Sequence, residues 1–202
     1  MKIKNVIFDL GQVLVRFDPG YMVKRYVTDP DDAALLASVV FDRLYWDGLD
    51  AGTVSDGEVL AAVKERLPSR LHADAERIYN NWIYNLPPMP GMEELLHRLK
   101  AKGARLFLLS NTSTYLARHA SEIPILGLME GCVFSAECGM LKPDPAIYLH
   151  LCSRFGIIPW ESVFVDDRAE NTAAARGVGM DACLFAGDTA SLQDYLLSVI
   201  VG

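Results

Sequence analysis

The sequence predicts an α/β protein: a Rossmann-like, doubly wound parallel sheet of five core strands with an inserted helical cap. One observation is that short apolar runs alternate with amphipathic helical patterns, as in a parallel sheet. The other is that the interval 18–88 carries helix signals only. A chain of 202 residues is long enough for one such core and a modest insertion, but not for two full domains.

The predicted strands are apolar runs that each end at a polar residue or near a glycine. They cover residues 3–8, 104–109, 132–134, 162–165 and 182–185. Helical patterns follow most of them, at residues 91–102, 144–155, 169–176 and 189–199. Because strands and helices alternate, we expect all five strands to run parallel, with helices on both faces.

The interval 18–88 contains several helix starts and no strand pattern. Asp-Pro pairs begin at Asp18 and Asp29, and Ser55 with Glu58 has the spacing of a capping box. A proline-rich stretch at 87–91 leads back to the strand pattern. We therefore predict two units: a core of residues 1–17 and 89–202, and a helical cap of residues 18–88.

Composition excludes several classes of partner. A formal charge of -7 without basic clusters argues against nucleic-acid binding, and no apolar run is long enough to cross a bilayer. The N-terminus lacks a signal-cleavage pattern, and the four cysteines show no CxxC or metal spacing. We expect a cytoplasmic protein, monomeric or weakly homodimeric, that acts on a small molecule and contacts neither membrane nor nucleic acid.

Polar residues follow the apolar runs at the edge where a doubly wound sheet binds its ligands. They are Asp9, Ser110, Asn111, Asp166 and Asp167, and a short loop adds Lys142. An isolated aspartate at a strand end is more often a turn or cap residue, and a loop lysine is usually solvated. Three converging carboxylates, however, need a hard cation and an ammonium to offset their charge. The set therefore predicts Mg²⁺ and phosphoryl transfer.

Four segments occur in the order typical of one superfamily. They are FDLGQVL at 8–14, LLSNT at 108–112, GMLKPDPAIY at 139–148 and FVDDRAEN at 164–171. With them the chain resembles the haloacid dehalogenase superfamily, in its subfamily with a C1-type helical cap. Its likeness is greatest to bacterial α-glucose-1-phosphate phosphatases and to the N-terminal phosphatase domain of soluble epoxide hydrolases. The resemblance covers the whole chain.

The resemblance implies roles for the metal-binding residues. Asp9 would attack phosphorus and form an aspartyl-phosphate, which water then hydrolyses. Asp9, the carbonyl of Gly11 and Asp167 would bind Mg²⁺. Asp166 would lie one shell out or bind through water.

The remaining motif residues would bind and orient the phosphate. Ser110 and the backbone of Asn111 would donate hydrogen bonds to it, and Lys142 would neutralise both Asp9 and the phosphate. Asn171 would orient this cluster from the following helix.

Gly11 departs from the pattern of most phosphatases in the superfamily. They carry an aspartate there, which protonates the leaving oxygen and then activates water. Its loss costs roughly 10²- to 10⁴-fold where protonation is limiting. Such a site suits a leaving group of low basicity, or a proton supplied by solvent or the cap. Asp18 is the nearest carboxylate along the sequence.

The substrate and two other functions stay open. Aromatic cap residues pack in the core or stack on a sugar, which makes a sugar phosphate the expected substrate; they are Tyr45, Trp46, Trp82 and Tyr84. A metal-independent 2-haloacid dehalogenase would tolerate Gly11, but it typically lacks the paired Asp166 and Asp167. A catalytically impaired phosphometabolite-binding protein would not need to retain Asp9 and Lys142.

Overall fold

A computed structural model describes residues 3–200 and contains a five-stranded parallel sheet in the order β3-β2-β1-β4-β5. The strands are β1 (Asn5–Phe8), β2 (Arg105–Ser110), β3 (Gly131–Phe134), β4 (Ser162–Asp166) and β5 (Asp181–Leu184). β1 is central, and its Phe8 lies opposite Leu108 on β2 and Val165 on β4. The predicted fold class is confirmed.

The central strands are apolar on both faces because each face packs against its own layer of helices. Val6 and Phe8 join one hydrophobic cluster, whereas Ile7 and Phe107 join a second cluster on the opposite face. This two-sided burial explains why β1 has a continuous apolar run and no alternation of polar and apolar residues.

The interval between β1 and β2 is helical. Its helices are α1 (Pro19–Lys24), α2 (Pro30–Val40), α3 (Arg43–Asp50), α4 (Asp56–Glu65) and α5 (His72–Tyr79), with 3-10 turns at Ser69–Leu71 and Trp82–Asn85. Asp18 and Asp29 cap α1 and α2, and Ser55 forms the predicted capping box with Glu58 at α4. Local chemistry therefore determines where these helices begin.

The core helices return the chain from one strand to the next. They are α6 (Met92–Ala101), α7 (Thr114–Arg118), α8 (Ser135–Cys138), α9 (Pro145–Phe155), α10 (Ala169–Gly177) and α11 (Thr189–Val199). Further 3-10 turns lie at Ala120–Glu122, Pro124–Leu128 and Pro159–Glu161. Within residues 3–200 no helix combines the length and the apolar character needed to cross a membrane.

The two connections between the cap and the sheet run side by side. The Arg16 amide donates to the Pro87 carbonyl at 2.8 Å, and the Met89 amide donates to the Leu14 carbonyl at 2.9 Å. Buried residues of the cap and of one sheet face form a single hydrophobic cluster. The division into a core of 1–17 and 89–202 and a cap of 18–88 stays a prediction about independent units.

Gly131, the first residue of β3, offers a test of packing at the sheet edge. A methyl group there would lie 2.3 Å from the Phe155 ring. That ring packs against Phe107, with the two ring centroids 5.2 Å apart. We expect Gly131→Ala to lower the free energy of unfolding by about 1–3 kcal/mol in urea titrations. The control is Gly127→Ala, where an added Cβ meets no atom within 4 Å. Equal losses in both variants would contradict this account.

Candidate active site

A cavity of about 490 Å³ lies between the carboxyl ends of the strands and the cap. Seven of the eight predicted site residues line it: Asp9, Gly11, Ser110, Asn111, Lys142, Asp167 and Asn171. The eighth, Asp166, is fully buried and is hydrogen-bonded to Lys142. Residues that are far apart in sequence therefore meet at the sheet edge where a doubly wound fold binds ligands.

Asp9 is placed by the sheet and by the turn that follows it. Its amide donates to the Val165 carbonyl of β4 at 2.9 Å, so the chain stays in register with the sheet up to Asp9. Gln12 then adopts a left-handed conformation with φ 59°, and its amide donates to the Val15 carbonyl at 2.7 Å. The turn leaves the Asp9 carboxylate at the cavity.

Lys142 connects two carboxylates at the base of the cavity. Its Nζ lies 2.6 Å from Asp9 Oδ1 and 2.8 Å from Asp166 Oδ2, and its side chain is only 2% exposed. The Asn111 side chain holds the lysine backbone at both ends, accepting from the amide at 2.8 Å and donating to the carbonyl at 2.9 Å. Hydrogen bonds therefore fix the Lys142 backbone, and ion pairs fix its ammonium.

Asp166 accepts hydrogen bonds on both oxygens. The Arg168 amide donates to Oδ1 at 2.8 Å, and Asn171 Nδ2 lies 3.0 Å from each oxygen. The Tyr148 hydroxyl donates to the Asn171 carbonyl at 2.9 Å and so helps to fix the position of the asparagine. With Lys142 added, Asp166 organises its neighbours and has little capacity left for another ligand.

Burial and like charge shift the acid–base properties of this cluster. Burial raises the pKa of Asp9 to about 6, Lys142 opposes that shift, and repulsion from Asp166 adds to it. Burial alone would lower the pKa of Lys142, but Asp9 and Asp166 outweigh burial and raise it. Burial and then Asp166 raise the pKa of Asp167. One ammonium thus offsets the three carboxylates only in part.

The donor set fits a hard divalent cation. Asp9, Asp166 and Asp167 each offer a carboxylate oxygen, and these atoms lie within 4.8 Å of one another. Among residues 3–200, Asn171 Oδ1 is a buried side-chain oxygen without a hydrogen-bond partner. Because Asn171 Nδ2 faces the Asp166 carboxylate, this oxygen points elsewhere and can accept from a hydrated ion. Oxygen donors of this kind are typical of Mg²⁺ sites.

The opposite wall of the cavity is aromatic. Four rings with centroids 5.0 to 5.8 Å apart form it: Phe17, Phe41, Trp46 and Trp82. They also belong to the hydrophobic cluster shared with the sheet or pack against it. Trp46 and Trp82 therefore both pack in the core and face the cavity.

The other two aromatic candidates lie away from the cavity. The Tyr45 hydroxyl accepts a hydrogen bond from Arg66, and the exposed Tyr84 donates to Glu122 at 2.8 Å. Asp18 is also absent from the cavity lining, and its carboxylate accepts from the Tyr21 amide as the N-cap of α1. Although Asp18 is the nearest carboxylate in sequence, its carboxylate is engaged in capping α1.

Helix α3 contributes residues that the sequence did not single out. Arg43, Asp47 and Asp50 line the cavity, and their spacing of four and then three places them on one helix face. The available signal was Asp42, which caps the helix by accepting from the Leu44 amide at 3.0 Å. The capping aspartate predicts a helix, but nothing in the sequence indicates which of its faces meets the core.

A doubly wound sheet that gathers carboxylates, a buried ammonium and an asparagine at one cavity is typical of enzymes that act on anionic substrates. A family model for haloacid dehalogenase-like hydrolases matches residues 3–179. The chain belongs to that family and is a hydrolase, as the four ordered motifs predicted.

Three similar proteins show how broad the family is. A sesquiterpene phosphatase of Aspergillus oryzae is 28% identical over 181 residues, covering 88% of this chain and 87% of that protein. An (S)-2-haloacid dehalogenase of Burkholderia cepacia is 30% identical over 97 residues, and the match covers 48% of this chain and 42% of the dehalogenase. Several phosphatase relatives are likewise matched over only 41% to 53% of their length.

The third is a crystal structure from Bacteroides thetaiotaomicron, a family enzyme in complex with magnesium and inorganic phosphate. It superposes with a TM-score of 0.69 at 22% identity, covering 94% of this chain and 98% of that one. At this level of identity the likeness supports the fold.

The buried Lys142 should contribute strongly to stability, because removing it leaves Asp9 and Asp166 without their counter-charge. We expect Lys142→Met to lower the free energy of unfolding at pH 7 by about 3–5 kcal/mol. The exposed pair of Lys4 and Glu161, 2.6 Å apart, provides the control, and Lys4→Met should cost at most about 1 kcal/mol. Urea titrations measure both.

Adding Asp166→Asn to Lys142→Met should recover part of the loss, since one uncompensated charge is then removed. Equal costs for the two lysines would mean that the ion pairs at the cavity base do not stabilise the fold.

Proposed function

We propose that the protein is a Mg²⁺-dependent phosphomonoester hydrolase that acts on a small phosphorylated metabolite through an aspartyl-phosphate at Asp9. The observation that carries the proposal is the contact of Lys142 with both Asp9 and Asp166 beside a third carboxylate, Asp167. This arrangement suits an ion and a phosphate dianion that bind together. The phosphatases among its relatives support the same reaction class.

Mg²⁺ would be held by Asp9, the Gly11 carbonyl and Asp167, and it would supply positive charge that offsets the nucleophile and the phosphate. Asp166 would act from one shell out, because its oxygens already accept from Lys142, Arg168 and Asn171. Among backbone hydrogen bonds of residues 3–200, none ends on the Gly11 carbonyl, which leaves that oxygen available.

The protein's own residues prepare the displacement. Asp9 attacks phosphorus in line, which forms a P–O bond to its carboxylate while the bond to the leaving oxygen breaks. Lys142 keeps Asp9 ionised and attracts the phosphate dianion. Ser110, buried at the end of β2, and the Asn111 backbone donate hydrogen bonds to phosphate oxygens as charge shifts in the transition state.

The cavity walls suggest what the phosphate is attached to. The rings of Trp46 and Trp82 offer an apolar surface, while the lining residues Arg43 and Asp47 offer hydrogen-bonding groups. A sugar phosphate, with one apolar ring face and several hydroxyls, uses both kinds of group and stays the predicted class. The aromatic wall equally accommodates a hydrocarbon, the kind of group that the sesquiterpene phosphatase relative is named for.

Dehalogenation is the second candidate because one relative is a 2-haloacid dehalogenase. A metal-independent displacement at carbon needs no pair of carboxylates beside the nucleophile. The close approach of Asp166 and Asp167 to Asp9 therefore favours phosphoryl transfer. Lys142 also argues against a binding protein without catalysis, since its two ion pairs keep the nucleophile ionised.

Asp9→Asn tests the nucleophile. We expect it to reduce the hydrolysis of glucose 1-phosphate, glucose 6-phosphate and p-nitrophenyl phosphate at least about 10³-fold, because a neutral amide cannot form the intermediate. Excess chelator should abolish activity in the wild type. Released phosphate or p-nitrophenolate provides the readout.

The control variant is Asp188→Asn, at an exposed helix cap that is not part of the cavity lining, which should keep full activity. Undiminished turnover by Asp9→Asn would refute the nucleophile. Chloride released from 2-chloropropionate in the presence of chelator would instead favour the dehalogenase.

The two neighbouring carboxylates should differ in their effect on Mg²⁺ affinity. We expect Asp167→Asn to weaken it more than Asp166→Asn, since loss of an outer-shell group typically costs about 10- to 100-fold and a direct ligand contributes more. Mg²⁺ titrations of the initial rate and calorimetric binding curves give both constants. Equal or reversed effects would show that the ligand assignment is wrong.

A further inference from the structure

The proposed hydrolysis leaves one proton unassigned. At the position after Leu10, where a side chain could donate to the leaving oxygen, Gly11 has none, and Asp18 is occupied as the cap of α1. The lining of the same cavity contains another carboxylate, Asp50, at the end of α3. The inference below rests on the proposed phosphatase function and deepens it.

Asp50 is anchored directly to residues 110–112, which include the proposed phosphate ligands Ser110 and Asn111 and which we name the phosphate loop. The Ser135 hydroxyl of α8 donates to the Asp50 carbonyl at 2.6 Å and accepts from the Thr112 amide at 2.9 Å. Thr112 lies two residues after Ser110, so one hydroxyl ties the end of α3 to the strand end that would hold phosphate. We name this linkage the Ser135 bridge.

The chain after Asp50 strengthens this attachment. Gly52 has φ +69°, and a Cβ there would lie 2.9 Å from the Ala136 carbonyl oxygen, so the backbones of cap and core touch without an intervening side chain. A glycine is required for such a close approach in a left-handed conformation. The position of Asp50 is thus fixed by the hydrogen bond to its carbonyl and by the backbone contact of Gly52 two residues later.

The surroundings of Asp50 suit proton transfer near neutral pH. Burial raises the pKa of its carboxyl to about 7, with Asp47 and Asp9 adding to the shift and Arg43 and Lys142 opposing it. These four are the charged groups that influence it from α3 and from the cavity base, while α8 packs there through uncharged Ser135 and Ala136. A general acid and base works best when its pKa is close to the working pH.

Other ionisable groups of the cavity fit this role less well. Asp9 is the proposed nucleophile and Asp167 a proposed metal ligand. The Asp47 side chain is 74% exposed and lies 3.8 Å from Arg43, so it is a solvated surface carboxylate. Asp50 is therefore the half-buried carboxyl of the cavity wall that the mechanism has not yet used.

We infer that Asp50 is the general acid and base of this enzyme and takes the place of the carboxylate missing at position 11. As Asp9 attacks and the bond from phosphorus to the leaving oxygen breaks, Asp50 gives its proton to that oxygen, which departs as an alcohol. Ionised Asp50 then takes a proton from water. The water oxygen attacks phosphorus, the bond to Asp9 breaks, and phosphate leaves.

Two probe substrates of similar size isolate the first proton transfer. Benzyl phosphate releases a basic alkoxide that needs a proton, whereas p-nitrophenyl phosphate releases a weakly basic phenolate that does not. We expect Asp50→Asn to lower kcat/KM for benzyl phosphate about 10²- to 10⁴-fold, but for p-nitrophenyl phosphate at most about tenfold. Because kcat/KM reports on the steps through leaving-group departure, slow hydrolysis of the intermediate does not obscure the comparison.

The control is Asp188→Asn, which removes a negative charge at an exposed helix cap outside the cavity lining. It should leave the ratio of the two kcat/KM values unchanged. Retained hydrolysis of p-nitrophenyl phosphate shows that Asp50→Asn is folded. In the wild type, kcat/KM for benzyl phosphate should fall as pH rises through about 7, because the acid loses its proton. Asp50→Asn should lack this fall.

Each contrary result has a distinct meaning. If the wild type hydrolyses both probes and Asp50→Asn lowers both equally, Asp50 is not the acid, yet the proposed function stands. An equal change of the ratio in Asp188→Asn, or a wild type that accepts only p-nitrophenyl phosphate, also overturns the inference. A wild type inactive on both probes, with and without Mg²⁺, would contradict the phosphatase proposal itself.

Discussion

The ion pairs of Lys142 are the constraint on which the rest of the site depends. Burying Asp9 and Asp166 at the end of adjacent strands is costly unless an opposite charge is buried with them. The lysine meets both, and Asn111 fixes its backbone through two hydrogen bonds. The sheet supplies the two carboxylates and the loop before α9 supplies the cation. The base of the cavity is therefore complete only when the whole doubly wound core has formed.

The cap supplies a different kind of contribution. Its aromatic rings are part of the same hydrophobic cluster as one face of the sheet, so the surface that faces a substrate also stabilises the protein. Evolution of a new substrate preference through these rings would alter packing as well as recognition. Polar residues on α3, at the cavity edge, can change with less effect on the core.

Much of the fold was predictable because its signals are local. The five strands are confirmed within one or two residues at each end, and the capping aspartates with the Ser55 box mark three cap helices. Strand-end residues could be grouped because parallel strands present their carboxyl ends at one edge. The cap residues that line the cavity could not be identified in this way. The placement of α3 beside the cavity arises from long-range packing and from the Ser135 bridge. Asp50 was therefore missed, whereas Asp18 was considered only for its nearness in sequence.

The Ser135 bridge has a thermodynamic consequence. A hydroxyl shared between the cap and the Thr112 amide makes the position of α3 and the shape of the phosphate loop parts of one equilibrium. Any anion that orders this loop must then stabilise the position of α3, and the contacts that hold α3 must strengthen anion binding by the same free energy. The stability of the contact between α3 and the core and the affinity for an anion are thus linked reciprocally through one hydroxyl.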